Sequence, residues 1–530
     1  MKIILHGRVV AMDQAFTVFS QGAIYVDGNT IVAVADAVAP PPAGFAGAPI
    51  VDTGGTIFPG LVELHNHLSY DALQMWHVPR KFTDRGQWQS NSDYVSNVSG
   101  PMGVIAKSKD PHLLASLVRY VETKCLLGGV TTAQGISLKG DNLDTYYTSA
   151  MRVVDDPGHP KFPKTSTRIP DVDASDWAAF KKSVDKASCL LLHLSEGLDP
   201  KAREAFLALQ DPHSKEWAIG PPLAGIHCAA LQSPDFAVMA SKGASAVWSP
   251  LSNLLLYGGT TDVKAARQAG VPVALGSDWS PSGSKNLLNE LKVAMIANSV
   301  NGIGLADRDL VAMATAVPAS IVKWGAWIGS LSAGKRADLL VVDAPASSDP
   351  YGSLLHARET DVRLVMIDGR AVVGLKALMT ALGQTGEEVP LGSQTRVIDY
   401  GPGDPRIPSV TFAEAQAALA DALHRIPTLL EDEKAGHGLS GRRLASAAAA
   451  PQLRLALDEQ HGAGFALRPR LPFGDKLTGP DAEAAPAAPA PLKALKLDPV
   501  AVADDPGYGA LLQGQINIPA AIKSALKSIY

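Results

Sequence analysis

Phe58-Pro59-Gly60-Leu61-Val62-Glu63-Leu64-His65-Asn66-His67 is an apolar run that ends in two histidines one residue apart. Such a run, bounded by turn residues, reads as a buried strand. In a strand, residues i and i+2 point to the same face, so His65 and His67 can reach one metal ion. A chain with 13 histidines in 530 residues throws up one His-x-His pair easily by chance. The weight of this pair therefore comes from what recurs downstream.

The arrangement recurs three times. His193 closes the run Cys189-Leu190-Leu191-Leu192, and Glu196 follows three residues later. His227 follows Ala224-Gly225-Ile226, and Asp278 follows Pro272-Val273-Ala274-Leu275-Gly276-Ser277. Taken singly, each has a plain explanation: a loop carboxylate, a core histidine, a helix-capping aspartate. Taken together they place four chemically equipped patches at the ends of apolar strands. In a strand-helix barrel those ends form one face, where catalytic residues from different strands gather. Imidazole and carboxylate are the ligands of zinc and its neighbours, and a catalytic site keeps one position open for water. The pattern implies water activated by a metal ion.

The chain around these patches has two textures. Residues 1–58 read as short strands, with a hairpin at Ala23-Ile24-Tyr25-Val26, Asp27-Gly28-Asn29 and Ile31-Val32-Ala33-Val34. From 59 to 329, apolar runs alternate with helical stretches. Strands are expected at Gly60–Leu64, Val130–Ala133, Cys189–Leu192, Leu223–Ile226, Ala244–Trp248 and Val271–Leu275. Helices are expected at Pro111–Leu127, Pro200–Gln210, Pro234–Lys242 and Thr261–Ala269. Alternation over this length suits a (β/α)₈ barrel. Short strands return between 330 and 380, so both flanks are expected to build one small β domain. Residues 381–530 form a C-terminal extension: a capping box at Thr411 and Glu414 opens an Ala-rich helix, Asp481–Pro491 is Ala/Pro-rich linker, and Ile516–Tyr530 suits a last helix. No ligand candidate lies in that extension.

Composition narrows the setting. The chain is 46% hydrophobic and 19% charged with net charge -5, which offers no basic patch for nucleic acid or an anionic membrane. No apolar run reaches membrane-spanning length, and Met1–His6 is too short for a secretory segment. Cys125, Cys189 and Cys228 are odd in number and far apart, so no disulfide framework is expected and a cytoplasmic location is.

These residues resemble the amidohydrolase superfamily, in particular its mononuclear deaminase and s-triazine-hydrolase-like branch. The resemblance is carried by Pro59–His67, Gly129-Val130-Thr131-Thr132, His193–Glu196, His227-Cys228, Ser249-Pro250-Leu251-Ser252-Asn253, Leu275–Asp278, and the return segment Ile328–Leu331 with Gly334–Leu339. It spans residues 1 to about 375. It implies a distorted (β/α)₈ TIM-like barrel with a small composite β-sandwich. It further implies that His65, His67, His193 and Asp278 hold one divalent metal ion, zinc first and iron(II) second. Glu196, His227 and Asp278 would be catalytic: Asp278 as base, Glu196 as acid on a ring nitrogen, His227 orienting the nucleophile or polarising the attacked group. Binuclear relatives carry a lysine on the fourth strand. Here Lys161 and Lys164 lie in a Pro-rich loop and Lys181, Lys182 and Lys186 in a helical pattern, which favours one metal.

Ser249 stands where relatives often have histidine, so Ser249, Asn253 and Trp279 are candidate substrate contacts. Tyr70, Trp76, His77, Trp88 and Trp279 flank the expected mouth and suit a flat substrate. The expected activity is deamination-like hydrolysis of a C–N bond in a heterocyclic or aromatic amine. Hydrolysis of a cyclic amide or dipeptide-like amide is the alternative, and a non-catalytic assembly module a third reading. A small-molecule partner is expected, with homo-oligomerisation left open.

Overall fold

The computed structural model describes residues 2–108, 110–140, 143–172, 176–343, 349–434, 454–457 and 491–529. Five parallel strands lie side by side in the order Thr165–Arg168, Cys189–Leu194, Leu223–His227, Ser245–Trp248 and Val273–Leu275. A second parallel sheet holds Leu61–Val62, Val130–Ala133 and Arg152–Val153. Every residue of Cys189–Leu194 and Leu223–His227 is buried, as strands covered on both faces require. Single backbone hydrogen bonds span the gaps between the sheets: Thr165 N to Val154 O at 3.0 Å, Val62 N to Ala314 O at 2.9 Å and Leu275 N to Met313 O at 2.8 Å. Among the described residues these eight parallel strands form two separate sheets and not one closed ring.

Helices follow the strands as the patterning predicts. Pro111–Leu127 and Pro200–Leu207 begin with proline after an aspartate whose side chain caps a backbone N–H of the first turn. Ser233–Ser241 and Val263–Ala269 complete the expected set. Two strands, Arg152–Val153 and Thr165–Arg168, escape the sequence reading because they are short and polar.

The flanks assemble as one mixed nine-stranded sheet, where the sequence suggested a sandwich. Strands Lys2–Val10, Val18–Asp27, Thr30–Asp36 and Ile50–Pro59 join Leu339–Val342, Val362–Ile367 and Arg370–Gly374 through the pairing of Ile50–Pro59 with Leu339–Val342. The sheet runs past 380, since the hairpin Glu387–Leu391 and Gln394–Ile398 adds two more strands at its edge. The capping box at Thr411 opens Phe412–His424. The expected last helix spans Ala520–Ile529, preceded by Tyr508–Gly514. The Ala/Pro-rich stretch 481–490 lies outside the described residues. No described helix is long and apolar enough to cross a membrane, and all three cysteines are buried free thiols.

Candidate active site

The histidine pair does not sit in a regular strand. The strand stops at Val62, and His65–His67 is held by backbone pairing with the segment around Asp278. Asp278 N donates to His65 O at 3.0 Å and His67 N donates to Asp278 O at 2.6 Å. Gly276 permits this approach, because a Cβ there would lie 2.5 Å from His65 Cβ.

His193 and His227 come from adjacent strands whose register pairs His193 with Ile226 and Leu194 with His227. Alternation along Leu223–His227 puts Ala224 and Ile226 into the inner cluster with Leu191 and Val247 and would turn His227 away. The alternation breaks there: His227, Cys228, Ser195 and Asp278 all take positive φ, between 52° and 67°. Left-handed backbone at such residues costs roughly 1–2 kcal/mol each, strain that gathers at functional sites.

These turns bring the predicted side chains together. His65, His193 and His227 form one group with ligand atoms within 4.8 Å of one another, and His65, His67 and Asp278 form a second. His65 belongs to both. His65 Nε2 lies 2.9 Å from Asp278 Oδ1 and His67 Nε2 3.5 Å from the same oxygen. Ring centroids of His65 lie 4.8–5.0 Å from those of His193, His67 and His227. Protonated imidazoles at this spacing would repel. Burial pulls His193 well below its ordinary pKa and His227 down to about 3, leaving both in the neutral form that binds metals. Burial alone would raise the Asp278 carboxyl, but the surrounding imidazoles, His65 foremost, hold it below the usual carboxylate range. Nδ1 of the buried His65 has no hydrogen-bond partner. Neutral imidazoles beside an ionised carboxylate are a donor set that fits a divalent cation.

Glu196 stands beside this group, with Oε2 3.6 Å from His227 Nε2 and 3.4 Å from Arg85 Nε. Tyr257 OH donates to Glu196 Oε1 at 2.8 Å, and Trp88 Nε1 donates to Tyr257 OH at 2.7 Å. Asn253 braces His227: its Oδ1 lies 3.0 Å from His227 Nδ1, and its Nδ2 donates to Thr260 and Thr261. The Asn253 amide is thus engaged with protein on both atoms. Ser249 is fully buried, and its hydroxyl has no hydrogen-bond partner. Trp279 lies over His67 at 5.3 Å and is flanked by Tyr70, Trp88 and Tyr94 at 5.0–6.2 Å. Trp76 packs on Tyr94 at 5.8 Å. His77 is exposed.

Several contributors carry no role in the sequence reading. Glu63 accepts from Ser277 N at 2.9 Å and from Ser277 Oγ, while Asn66 Nδ2 reaches Ser277 Oγ at 3.1 Å. This locks the two ligand-bearing segments together. Burial pushes the Glu63 carboxyl up to about 7 against those hydrogen bonds. A charged residue inside an apolar run was the available signal for Glu63. Tyr257 and Arg85 gave none, since only the fold brings them to Glu196.

Known proteins resemble this chain in sequence and in fold. A profile described as "Amidohydrolase family" matches residues 218–372. A 5-methylthioadenosine/S-adenosylhomocysteine deaminase of Syntrophobacter fumaroxidans is 25% identical over 424 residues, covering 71% of this chain and 94% of the relative. An adenosine deaminase from Xanthomonas campestris, solved with bound zinc, superposes with TM-score 0.59 at 18% identity, covering 80% of this chain and 98% of that one. A mutant atrazine chlorohydrolase from Arthrobacter aurescens, complexed with zinc and atraton, gives TM-score 0.55 at 20% identity, covering 72% and 99%.

Proposed function

We propose that this chain, a member of the amidohydrolase superfamily, is a mononuclear metal-dependent hydrolase that releases ammonia from an amino-substituted heterocycle. The observation that carries the reading is the meeting of His65, His67, His193, His227 and Asp278 beside Glu196. The relative's substrates make adenine-type rings the first class to test. The aromatic cage of Trp279, Tyr70, Trp88 and Tyr94 suits a flat ring. In this reading 59–329 is a (β/α)₈-type catalytic unit, 1–58 with 330–398 its flanking β domain, and the residues beyond an extension.

His65, His67, His193 and Asp278 would hold one ion, zinc first and iron(II) second. A divalent ion there would supply the Lewis acidity that makes water nucleophilic near neutral pH. Support for a single ion comes from the strand beside His193, Thr165–Arg168, which contains no lysine. Asp278, ionised at rest, accepts the proton of the attacking water. Thr260 and Thr261 orient the Asn253 amide so that its Oδ1 accepts from His227 Nδ1. His227 Nε2 keeps its lone pair and accepts a hydrogen bond from the water, so it orients the nucleophile. Glu196, positioned by Tyr257, delivers a proton to the ring nitrogen as the sp² carbon becomes tetrahedral. The proton held by Asp278 passes to the amino group, the C–N bond breaks with release of ammonia, and the carbinol hydroxyl returns its proton to Glu196 as the carbonyl forms. Asn253 and Tyr257 act as positioning residues, and Ser249 and Trp279 remain the substrate-facing candidates.

The test is an ammonia-release screen of purified full-length protein over amino-heterocycles, adenine nucleosides first, beside a panel of cyclic amides. One equivalent of zinc or iron per chain by elemental analysis, with ammonia from the amino-heterocycles, is the expected result. Two equivalents, or turnover of cyclic amides alone, would move the assignment to amide hydrolysis.

A further inference from the structure

The C-terminal extension, which the sequence left without a chemical role, reaches into the molecule beside the candidate site. Asp498 is 2% exposed. Its carboxylate oxygens lie 2.5 Å from Lys124 Nζ and 2.5 Å from Lys285 Nζ, two lysines themselves buried. Asp505 adds a second carboxylate 3.0 Å from Lys285. The backbone of Asp498 is engaged as well: its N–H donates to Ala72 O at 2.9 Å, and Tyr120 OH donates to its carbonyl at 2.7 Å.

Lys124 carries the connection onward. The same Nζ donates to Asp71 O at 2.9 Å and to Ser280 Oγ. Asp71 in turn accepts from Ser280 N at 2.8 Å. Ser280 follows Trp279 and is two residues from Asp278. Farther along the extension, Gln515 accepts from Val78 N at 3.2 Å and donates to Trp76 O at 3.0 Å. Asn517 donates to Arg80 O at 3.0 Å and to Leu255 O at 2.8 Å, on the helix that bears Asn253 and Tyr257. The extension thus touches the Asp71–Arg80 loop, the turn after Asp278 and the helix behind Glu196.

We propose that residues 491–529 are a strap that positions the aromatic wall and the Asp278 turn of this site, with Asp498 as its positioning residue. The inference rests on the functional reading given above. Two buried ammonium groups converge on one carboxylate from a segment 374 residues away in sequence from Lys124. Removing the charge leaves Lys124 without its paired carboxylate and Lys285 with Asp505 alone, a loss that a fold resists strongly. Lys124 then releases Asp71 and Ser280, and with them the turn carrying Asp278 and Trp279.

The test compares full-length wild type, Asp498→Asn and Gln515→Ala by hydrogen exchange and by steady-state kinetics. Asp498→Asn should raise amide exchange in 71–80 and 278–284 by about tenfold while the outer strands of the nine-stranded sheet stay protected. It should lower kcat by about ten- to a hundredfold, since misplacement of catalytic groups acts on the chemical step. Gln515→Ala loosens only the Trp76–Val78 loop and should raise KM by roughly threefold with kcat held. A cover with a purely structural role would leave kcat per folded molecule and local exchange unchanged. Unchanged exchange in 71–80 and 278–284 in folded Asp498→Asn overturns the proposal. If Asp498→Asn does not fold, Gln515→Ala decides through exchange at 76–80. Exchange is read without substrate, so a failed ammonia screen would count against the reaction and not against the strap.

Discussion

Asp278 combines three demands in one side chain: it sits on left-handed backbone at φ 67°, it is 4% exposed, and its carboxyl is held below the usual range, by His65 Nε2 foremost at 2.9 Å. Asp278→Asn keeps the volume and the local hydrogen bonding but removes both the charge and the proton acceptor. Turnover should fall by about 10²- to 10⁴-fold, the range expected for loss of a general base, while the thermal midpoint measured by circular dichroism stays near wild type. Near-normal ammonia release by the folded variant would sink the assigned role. Asp278 and the four histidines were legible in the sequence because each ends an apolar run, a purely local signal. Tyr257 was not: its hydroxyl meets Glu196 across 61 residues, and nothing in its neighbourhood distinguishes it from a core tyrosine. Asn253 was legible as a motif member but its role was not, since a substrate contact and a brace for His227 look alike in sequence.

Helix Leu287–Val300 shows what an element can hide. It is buried on nearly all sides, with Asn286 capping its first turn through Asn289 N. Glu290 in that turn accepts from Leu251 N at 3.0 Å and from Ser284 Oγ, and burial pushes its carboxyl from 4.5 up to about 8. A carboxyl whose folded pKa is raised stabilises the fold fully below its unfolded pKa, and that stability is lost as pH climbs through the folded value. The window is therefore pH 4.5 to about 8, and Glu63, raised to about 7, acts with the same sign. Lys292 acts higher: pulled down by burial to about 8, it makes the fold more stable as pH rises from there towards 10.5. Glu290→Gln should flatten the fall in stability between pH 5 and 8, by on the order of 1 kcal/mol or more across the window. Thermal unfolding of both proteins in matched buffers reads the difference. Parallel pH profiles would show that Glu290 titrates normally. The strand ends were readable because parallel strands are continuous apolar runs. Arg152–Val153 and Thr165–Arg168 were not, because tertiary neighbours and not propensity hold them in place.

For the whole molecule, the division suggested by texture meets a tighter assembly. Phe412 of the extension stacks on Tyr120 at 5.6 Å with rings 7° apart, and Arg119 donates to Val410 O at 2.9 Å while lying 3.7 Å over the Tyr400 ring. Helix Pro111–Leu127 therefore has one side covered by residues beyond 380, and Lys124 has its counter-charge there. Deleting 381–530 removes no proposed ligand, yet it exposes this helix and strips Asp498 from two lysines. The truncated chain should lose several kcal/mol of stability, with its thermal midpoint lowered by roughly 10 °C or more. A truncated chain that melts like the full protein and keeps its metal would show that the extension is a separable appendage.

The sequence by itself determined the chemistry on offer: apolar strands ending in imidazoles and carboxylates, their order, and the alternation that sets parallel strands beside helices. Those are local patterns, written by burial and by the two-residue period of a strand. Tertiary structure decided which groups meet. Left-handed turns at His227 and Asp278 override alternation and aim side chains at one point. Close backbone pairing at Gly276 brings His65 to Asp278, and a carboxylate from the far end of the chain neutralises lysines beneath the site. Contacts of that kind are set by three-dimensional packing and charge balance, and no stretch of sequence contains both partners.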